Sequence, residues 1–438
     1  GAVPAAAGEG VPNLRASALG AIGLTALNEF EGLVCRTVDL DSAGSADLVL
    51  AELGAGGSGD IAWRGGERME RVLRVRKEEK SPPVLIRVPV DDALELQPVA
   101  KGGLDALQLV RGERTVPGPG EIEIRIHRAA LGTRDLLKIR GEIHPVALEN
   151  ALGGPEPGLE CTGIVSRCGP GSRFSPGDRV AALVPRALRT YATVSETLAV
   201  PLPEQWGMDA AAIPAAGLAA WVGLLDLARL QPGDRVFLPD AADGPGLAAV
   251  DVALRAGAEV FATAASEEHR QALRARGVAH VFSSEGLDCR ERIRDATDGE
   301  GVDVIFGAES GLARLASLGL LRSGGRCIAT GKNDIAEDRD LPLRVFNRNA
   351  MFAALDVARL AFESPARVRD HLGKMFAQFA EGDLPPPATR TFPADQIREA
   401  FAALAAGPAP ETVLIDFATG DAGVPETPED GPLIKKDG

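Results

Sequence analysis

The stretch Leu230-Gln-Pro-Gly-Asp-Arg-Val-Phe-Leu-Pro-Asp-Ala-Ala-Asp-Gly-Pro-Gly246 decides how the chain is read. A Pro-Gly-Asp turn leads into the apolar run Arg235-Val-Phe-Leu, which has the length and residue types of a buried strand. A turn containing Gly244 and Gly246 follows, and then a helical run from Leu247 to Ala256. A strand, a glycine turn and a helix in this order can bring the free backbone N–H groups of a helix N-terminus up to a pyrophosphate. The same spacing also fits a tight strand-to-helix turn that binds nothing, so the turn alone leaves both readings open.

Working outward, a helix is expected over Ala215–Leu230, and the strand Glu259-Val-Phe-Ala-Thr follows the central helix. A helix over Glu267–Arg276 and the strands His280-Val-Phe, Val302-Asp-Val-Ile-Phe and Arg326-Cys-Ile-Ala-Thr complete the series. Strands alternating with helices predict an α/β class with a parallel, doubly wound sheet. Upstream, from Val84 to about Pro203, short strands are broken by Gly and Pro, as in Glu121-Ile-Glu-Ile-Arg-Ile, Gly163-Ile-Val-Ser-Arg and Asp178-Arg-Val-Ala-Ala-Leu-Val. That spacing predicts a compact β-barrel-like unit. Earlier still, a helical run over Ala16–Phe30, the run Val34-Cys-Arg-Thr-Val-Asp-Leu and the pieces Asp60-Ile-Ala-Trp-Arg and Arg71-Val-Leu-Arg-Val make a small α/β fragment with too few elements for a domain. Lys77-Glu-Glu-Lys-Ser-Pro-Pro83 reads as a linker, as does the Gly/Pro/Asp-rich tail from Ala418.

Charge and composition exclude several classes. The 438 residues carry 47 Lys+Arg against 62 Asp+Glu, a net charge of −15. This argues against nucleic acid and anionic membranes as partners. The single Tyr and three Trp offer no stacking platform for single strands. The five cysteines, 35, 161, 168, 289 and 327, are scattered without a CxxC, so neither a disulfide framework nor a zinc site is expected, and the chain reads as cytoplasmic. The five histidines, 127, 144, 269, 280 and 371, form no i,i+4 pair. No apolar stretch free of charge reaches membrane-spanning length. The Gly1-Ala-Val-Pro start, without the basic end of a signal peptide, reads as part of something longer.

Several segments together carry a resemblance. They are Pro176-Gly-Asp-Arg-Val, Leu230-Gln-Pro-Gly-Asp-Arg-Val, Ala258-Glu-Val-Phe-Ala-Thr-Ala and Gly324-Gly-Arg-Cys-Ile-Ala-Thr-Gly-Lys-Asn-Asp-Ile335, with Arg134-Asp135, Gly158-Leu-Glu-Cys-Thr-Gly163 and Ala219-Ala-Trp221. Over about residues 84–417 the chain resembles the medium-chain dehydrogenase/reductase superfamily, and more narrowly the enoyl-reductase domains of modular polyketide synthases. Residues 14–74 are similar to the structural half of a ketoreductase, and Pro432-Leu-Ile-Lys-Lys-Asp-Gly438 resembles the lead-in to the catalytic half. The resemblance implies a GroES-like β-barrel-type substrate domain (84–213 and 346–417) split around a Rossmann-like domain (214–345). A partial ketoreductase fragment (1–76) and linkers (77–83 and 418–438) flank it. It also implies NADPH as the hydride donor to the β-carbon of an α,β-unsaturated acyl thioester, with no metal. The implied partners are an acyl carrier protein with its tethered chain, the ketoreductase catalytic half and other synthase domains.

The resemblance assigns cofactor contacts to Ala242, Asp243, Gly244, Pro245, Gly246, Thr263 and Gly331 and retains Asp288 and Lys332 as candidate catalytic groups; His269, His144 and Asp288 are the candidate acid/base groups if the domain has been repurposed for a non-reductive step. Several of these positions depart from the family's pattern. Where the family's turn reads Ala-Ala-Gly-Gly-Val-Gly, this chain has Ala241-Ala-Asp-Gly-Pro-Gly246. Asp243 puts a carboxylate where a pyrophosphate would sit, a repulsion of about 4 kcal/mol at contact and an effective dielectric near 20. Pro245 lacks a backbone N–H, which removes a further roughly 1.5–3 kcal/mol if that group served the phosphate. Alternatively, Asp243 caps the helix and Pro245 sits in its first turn, which suits both. His269 replaces a Lys, Glu285 an Arg, and Pro410-Glu411 a Gly-Lys. Gly141-Glu-Ile-His-Pro145 lacks the family's Tyr, and Leu131-Gly-Thr133 stands where Asn-Phe precedes Arg134-Asp135. Gly331-Lys332 and Asp288 are retained. Three functions follow: a degenerate, structural reductase domain; a working NADPH enoyl reductase with unusual contacts; or a repurposed domain that binds the acyl chain or catalyses a non-reductive step.

Overall fold

The computed structural model describes residues 22, 25, 36–41, 46–55, 59–70, 85–97, 103–284, 288–331, 333–382, 384, 387–407 and 409–425. It divides into two units, residues 1–82 and 83–438. In the first, β1 (Arg36–Leu40) lies parallel to β2 (Gly59–Arg64), and β3 (Glu67–Glu70) turns back antiparallel. The helix Ala46–Gly54 buries Glu52, whose carboxylate is met by Arg68 Nε at 2.7 Å, Arg36 at 3.1 Å and Trp63 Nε1 at 3.2 Å. A buried carboxylate needs such partners, because an unpaired charge out of water is costly. The helix expected over 16–30 lies outside the described residues apart from residues 22 and 25, and Arg71-Val-Leu-Arg-Val lies outside them altogether.

The second unit opens with β4 (Leu85–Pro89), β5 (Leu94–Leu96), β6 (Leu109–Arg111) and the long β7 (Glu121–Leu131). Strands β8 (Glu160–Cys168), β9 (Arg179–Leu183), β10 (Tyr191–Ser195) and β11 (Ala199–Pro201) follow. The period-2 alternation of β7 sets its orientation: Ile122, Ile124 and Ile126 are fully buried. Glu123, on the opposite side of the pleat, is also buried. Burial alone would raise its carboxyl, but hydrogen bonds from Arg167, Arg114 and Ser166 outweigh that and hold it at about 2.

Next come β12 (Arg235–Leu238), β13 (Glu259–Ala264), β14 (His280–Ser283), β15 (Val302–Gly307), β16 (Leu321–Ala329) and β17 (Met351–Ala354). They form one parallel sheet in the order β14-β13-β12-β15-β16-β17, which is the 3-2-1-4-5-6 order of a doubly wound nucleotide fold. Val236, Phe237 and Leu238 are all buried because helices cover both faces of such a sheet. The chain then returns to the first sheet with β18 (Thr389–Pro393) and β19 (Thr412–Asp416), giving the order β11-β9-β8-β7-β19-β18, with β10 also on β7. The α/β class, the GroES-like barrel-type sheet and its division around the parallel sheet are as the sequence predicts.

Three details correct the expectation. The parallel sheet does not end at 345, because β17 adds a sixth strand beyond the expected boundary. The tail from 418 is not linker throughout: β20 (Asp421–Pro425) pairs antiparallel with β4. The helix expected over 215–230 is α-helical only over Pro214–Ala220 and continues as a π-helix over Trp221–Leu227.

The joint between the two sheets carries a half-buried acid. Glu160 opens β8, and its Oε2 accepts a 2.6 Å hydrogen bond from the Ala215 N–H at the start of the helix leading to the parallel sheet. Burial pushes this carboxyl up to about 8, with the Asp135 carboxylate adding to the rise. A carboxyl with a raised folded-state pKa contributes stability that is present below about pH 4.5 and is lost as pH rises through about 8. Glu160→Gln is therefore expected to melt within a degree or two of the parent at pH 5 and several degrees above it at pH 8.5, at about 2–4 °C per kcal/mol. Thermal melts of both proteins across that range check this, and parallel pH profiles would contradict it.

Candidate functional site

The carboxyl ends of β12 and β15 diverge at the point where the strand order reverses, and a doubly wound fold binds its ligands in that crevice. The turn leaving β12 is held from below by the neighbouring strand. The Asp240 N–H donates to Thr263 Oγ1 and the Ala241 N–H to the Thr263 carbonyl, both at 2.9 Å. The helix Gly244–Arg255 then begins. Gly246 is required there, because a Cβ would come within 2.6 Å of the Ala241 Cα. Asp243 is the N-cap: its Oδ1 accepts the Gly246 N–H at 3.0 Å, and Pro245 occupies the first turn. Burial raises the Asp243 carboxyl, the Gly246 N–H lowers it and the Asp240 carboxylate raises it further. The helix end that offers N–H groups to an anion is thus capped by the chain's own carboxylate.

Across the crevice, Gly331 follows β16 and lies so close to the loop after β15 that a Cβ would overlap the Ala308 carbonyl. Arg314 is buried and ties the two loops together. It donates to the Glu309 carbonyl and, at 3.1 Å, to the Gly331 carbonyl, and it pairs with Asp334 at 2.9 Å. Asp334 in turn accepts the Gly311 N–H at 2.8 Å. Burial raises the Glu309 carboxyl, which faces Arg290 at 3.4 Å.

On the barrel side, Asp135 accepts the Gly158 N–H at 2.7 Å and the Gly132 N–H at 2.9 Å, and burial raises its carboxyl. Lys138 donates to the Glu156 carbonyl at 2.7 Å, and burial lowers its amine. Arg134 donates to the Ala147 carbonyl at 3.0 Å, while its buried Nε has no hydrogen-bond partner among the described residues.

The structure brings Ala242, Asp243, Gly244, Pro245 and Gly246 into one turn, with Thr263 of β13 holding the residues just before it, and seats Gly331 after β16 against Ala308 of the loop after β15. His269 lies in the first turn of the helix Glu267–Ala275, with its backbone N–H on Ser266 Oγ at 3.1 Å. The neighbouring cation, Arg270, is turned back onto the Ala264 and Ala265 carbonyls and onto Glu267. His144 is exposed, and its Nδ1 accepts the Val146 N–H at 3.4 Å. Asp288 begins the helix Asp288–Ala296, while Lys332 and Glu285 lie outside the described residues. Sequence reasoning missed Glu160 and Arg314, since burial rather than residue type marks them. Among the described residues, no group of three or more His, Cys, Asp or Glu is placed to hold a metal. No helix among them is long and apolar enough to cross a membrane.

Residues 118–204 match the alcohol dehydrogenase GroES-like domain family, and residues 244–376 match the zinc-binding dehydrogenase family. A mycocerosic acid synthase-like polyketide synthase of Mycobacterium tuberculosis is 33% identical over 437 residues, covering 98% of this chain and 20% of its own. The chain spans about a fifth of the length of the curated relatives it matches. The crystal structure of the CurK enoyl reductase is 30% identical with a TM-score of 0.68, covering 74% of this chain and 99% of that one. The CurF ER cyclopropanase from curacin A biosynthesis is 26% identical with a TM-score of 0.68 over the same shares. With its barrel and parallel sheet matched over nearly the whole of a solved enoyl reductase, the chain belongs to the medium-chain dehydrogenase/reductase superfamily as a polyketide-synthase enoyl-reductase-type domain.

Proposed function

We propose that this is a degenerate enoyl-reductase domain, one that binds NADPH weakly or not at all and serves its synthase as a structural element. The observation that carries the reading is the Asp243 carboxylate on the Gly246 N–H, at the helix end where a pyrophosphate would have to sit. The like-charge term of about 4 kcal/mol and a lost N–H at Pro245 together weaken an anionic ligand on the order of a thousandfold or more. The turn so built does not fit the dinucleotide. Around the crevice, Arg314 is paired with Asp334 and Arg290 with Glu309, so neither guanidinium is left over for an anion, and Asp240 adds a further carboxyl beside the turn. The CurF neighbour, named as a cyclopropanase, is an instance of this fold put to another reaction. The partners of such a domain are an acyl carrier protein, a ketoreductase catalytic half for residues 1–76 and other domains of the same synthase, a reading supported by the polyketide-synthase relatives.

Two measurements test the reading. NADPH fluorescence enhancement is expected to be absent for the parent and to reach micromolar affinity in the triple variant D243G/P245V/H269K, which removes the carboxylate, restores an N–H and adds a cation. Crotonyl-thioester reduction should still lag in that variant. Tight NADPH binding or ready reduction by the parent would refute the proposal. The second measurement uses Asp243→Asn, which keeps a capping acceptor without the charge. Because burial raises the Asp243 carboxyl, its stabilising contribution is present below about pH 3.8 and is lost as pH rises through its folded value. The Asn variant should therefore match the parent near pH 4 and melt higher at pH 7–8. A variant that melts lower at pH 8 would show the ionised cap to be stabilising.

A further inference from the structure

On the barrel, the helix Thr133–Arg140 carries an amine in a setting that its structural contacts do not use up. Lys138 is half-buried, and its Nζ donates to the Glu156 carbonyl at 2.7 Å, its one hydrogen bond among the described residues. An ammonium has three donors and an amine two, so part of its capacity is left over. The loop that offers the carbonyl is fixed from behind. Asp135 Oδ1 accepts the Gly158 N–H at 2.7 Å, and Gly158, at φ 85°, sits where a Cβ would come within 2.8 Å of the Ala187 and Leu188 nitrogens. The lysine is therefore held by a rigid loop at a set place beside its own helix.

Arg134 lies one turn earlier on the same helix face, at the i,i+4 spacing where like charges oppose each other. Its terminal nitrogen is fixed on the Ala147 carbonyl at 3.0 Å, while its buried Nε has no hydrogen-bond partner among the described residues. An orphaned buried donor is costly unless something comes to meet it. Of the charges that face Lys138, Asp135 and Glu156 favour the ammonium and Arg134 opposes it; burial is the largest influence, and the amine is lowered overall. A desolvated lysine next to a second cation is the setting in which lysines add to carbonyl carbons.

The structure assigns Lys138 a covalent role, the attachment of a small aldehyde or ketone as an imine, with Arg134 as the donor to the carbonyl oxygen. The Lys138 nitrogen attacks the carbonyl carbon, and the Arg134 Nε–H meets the oxygen as charge develops on it. That oxygen takes one amine proton to give a carbinolamine, then leaves as water with the second. One C=N bond forms for each C=O bond lost, and neither an oxidant nor a reductant is consumed. No nucleotide takes part, so the assignment is independent of the reading of the Asp243 turn.

Reductive trapping tests this. The full chain is treated with butanal and sodium cyanoborohydride from pH 6 to pH 9, with no nucleotide present, and the butylated lysines are mapped by peptide mass spectrometry. Lys374, exposed on the helix Pro365–Ala380, is the internal standard. Lys138 is expected to carry roughly tenfold more label than Lys374 at pH 7, and its labelling to level off at a lower pH. Arg134→Gln removes the like charge and the donor, so label at Lys138 should fall severalfold and its pH profile move upward, with Lys374 unchanged. Arg134→Lys keeps the charge and loses the Nε–H, so label should fall while the profile stays in place. Label at Lys138 no greater than at Lys374, or a coincident pH profile, would overturn the inference, and the parent alone gives that answer if a variant fails to fold. Parent-like labelling in both Arg134 variants would overturn the part given to Arg134. Tight NADPH binding measured separately would defeat the degenerate-site reading and leave this one standing.

Discussion

The first turn of a helix leaves backbone N–H groups without partners, and whatever meets them decides what the helix end can do. In this chain the helix Gly244–Arg255 meets one of those groups with the carboxylate of Asp243. The turn before it is fixed from two sides, by Thr263 beneath and by the close approach of Gly246 to Ala241. The helix is therefore capped and seated on the sheet without a ligand. The same contact that completes the fold places a half-buried carboxyl at the mouth of the crevice. A cofactor would have to displace that cap, or approach its charge, in surroundings where burial already disfavours ionisation.

How much of this could be read from the sequence depends on whether the signal is local. The isoleucines of β7 alternate, and they point into the core as the period requires. Arg235-Val-Phe-Leu was legible as a strand because a sheet covered on both faces demands an unbroken apolar run. The capping role of Asp243 was legible as one of two options, since Asp before a Gly-Pro first turn fits an N-cap by residue type alone. By contrast, β17 is four residues, Met-Phe-Ala-Ala, with no β-branched side chain to announce it. Asp421-Ala-Gly-Val-Pro looks like linker and becomes a strand only because β4, distant in sequence, lies beside it. The π-helix has no compositional mark at all.

The buried charges were illegible for a related reason. Glu160, Glu123 and Arg314 are ordinary surface residue types, and only tertiary packing buries Glu123 and Arg314 and half-buries Glu160. Each then takes the state its partners permit. Glu123, with two arginines and a hydroxyl, stays ionised, while Glu160, given one backbone N–H and a nearby carboxylate, holds its proton to about pH 8. Arg314 spends its donors on two loop carbonyls and an aspartate, so the cation that borders the crevice acts as a brace.

The pairing of β4 with β20 has a consequence for how such a unit is carried. Leu85 lies opposite Pro425 in one antiparallel ladder, so the polypeptide enters and leaves the unit about 5 Å apart, the distance between neighbouring strands. A body with adjoining entry and exit can be spliced into a surface loop of a host protein without prising the host open. It behaves as a bead hung on a closed loop of string, and its gain or loss leaves the path of the string unchanged.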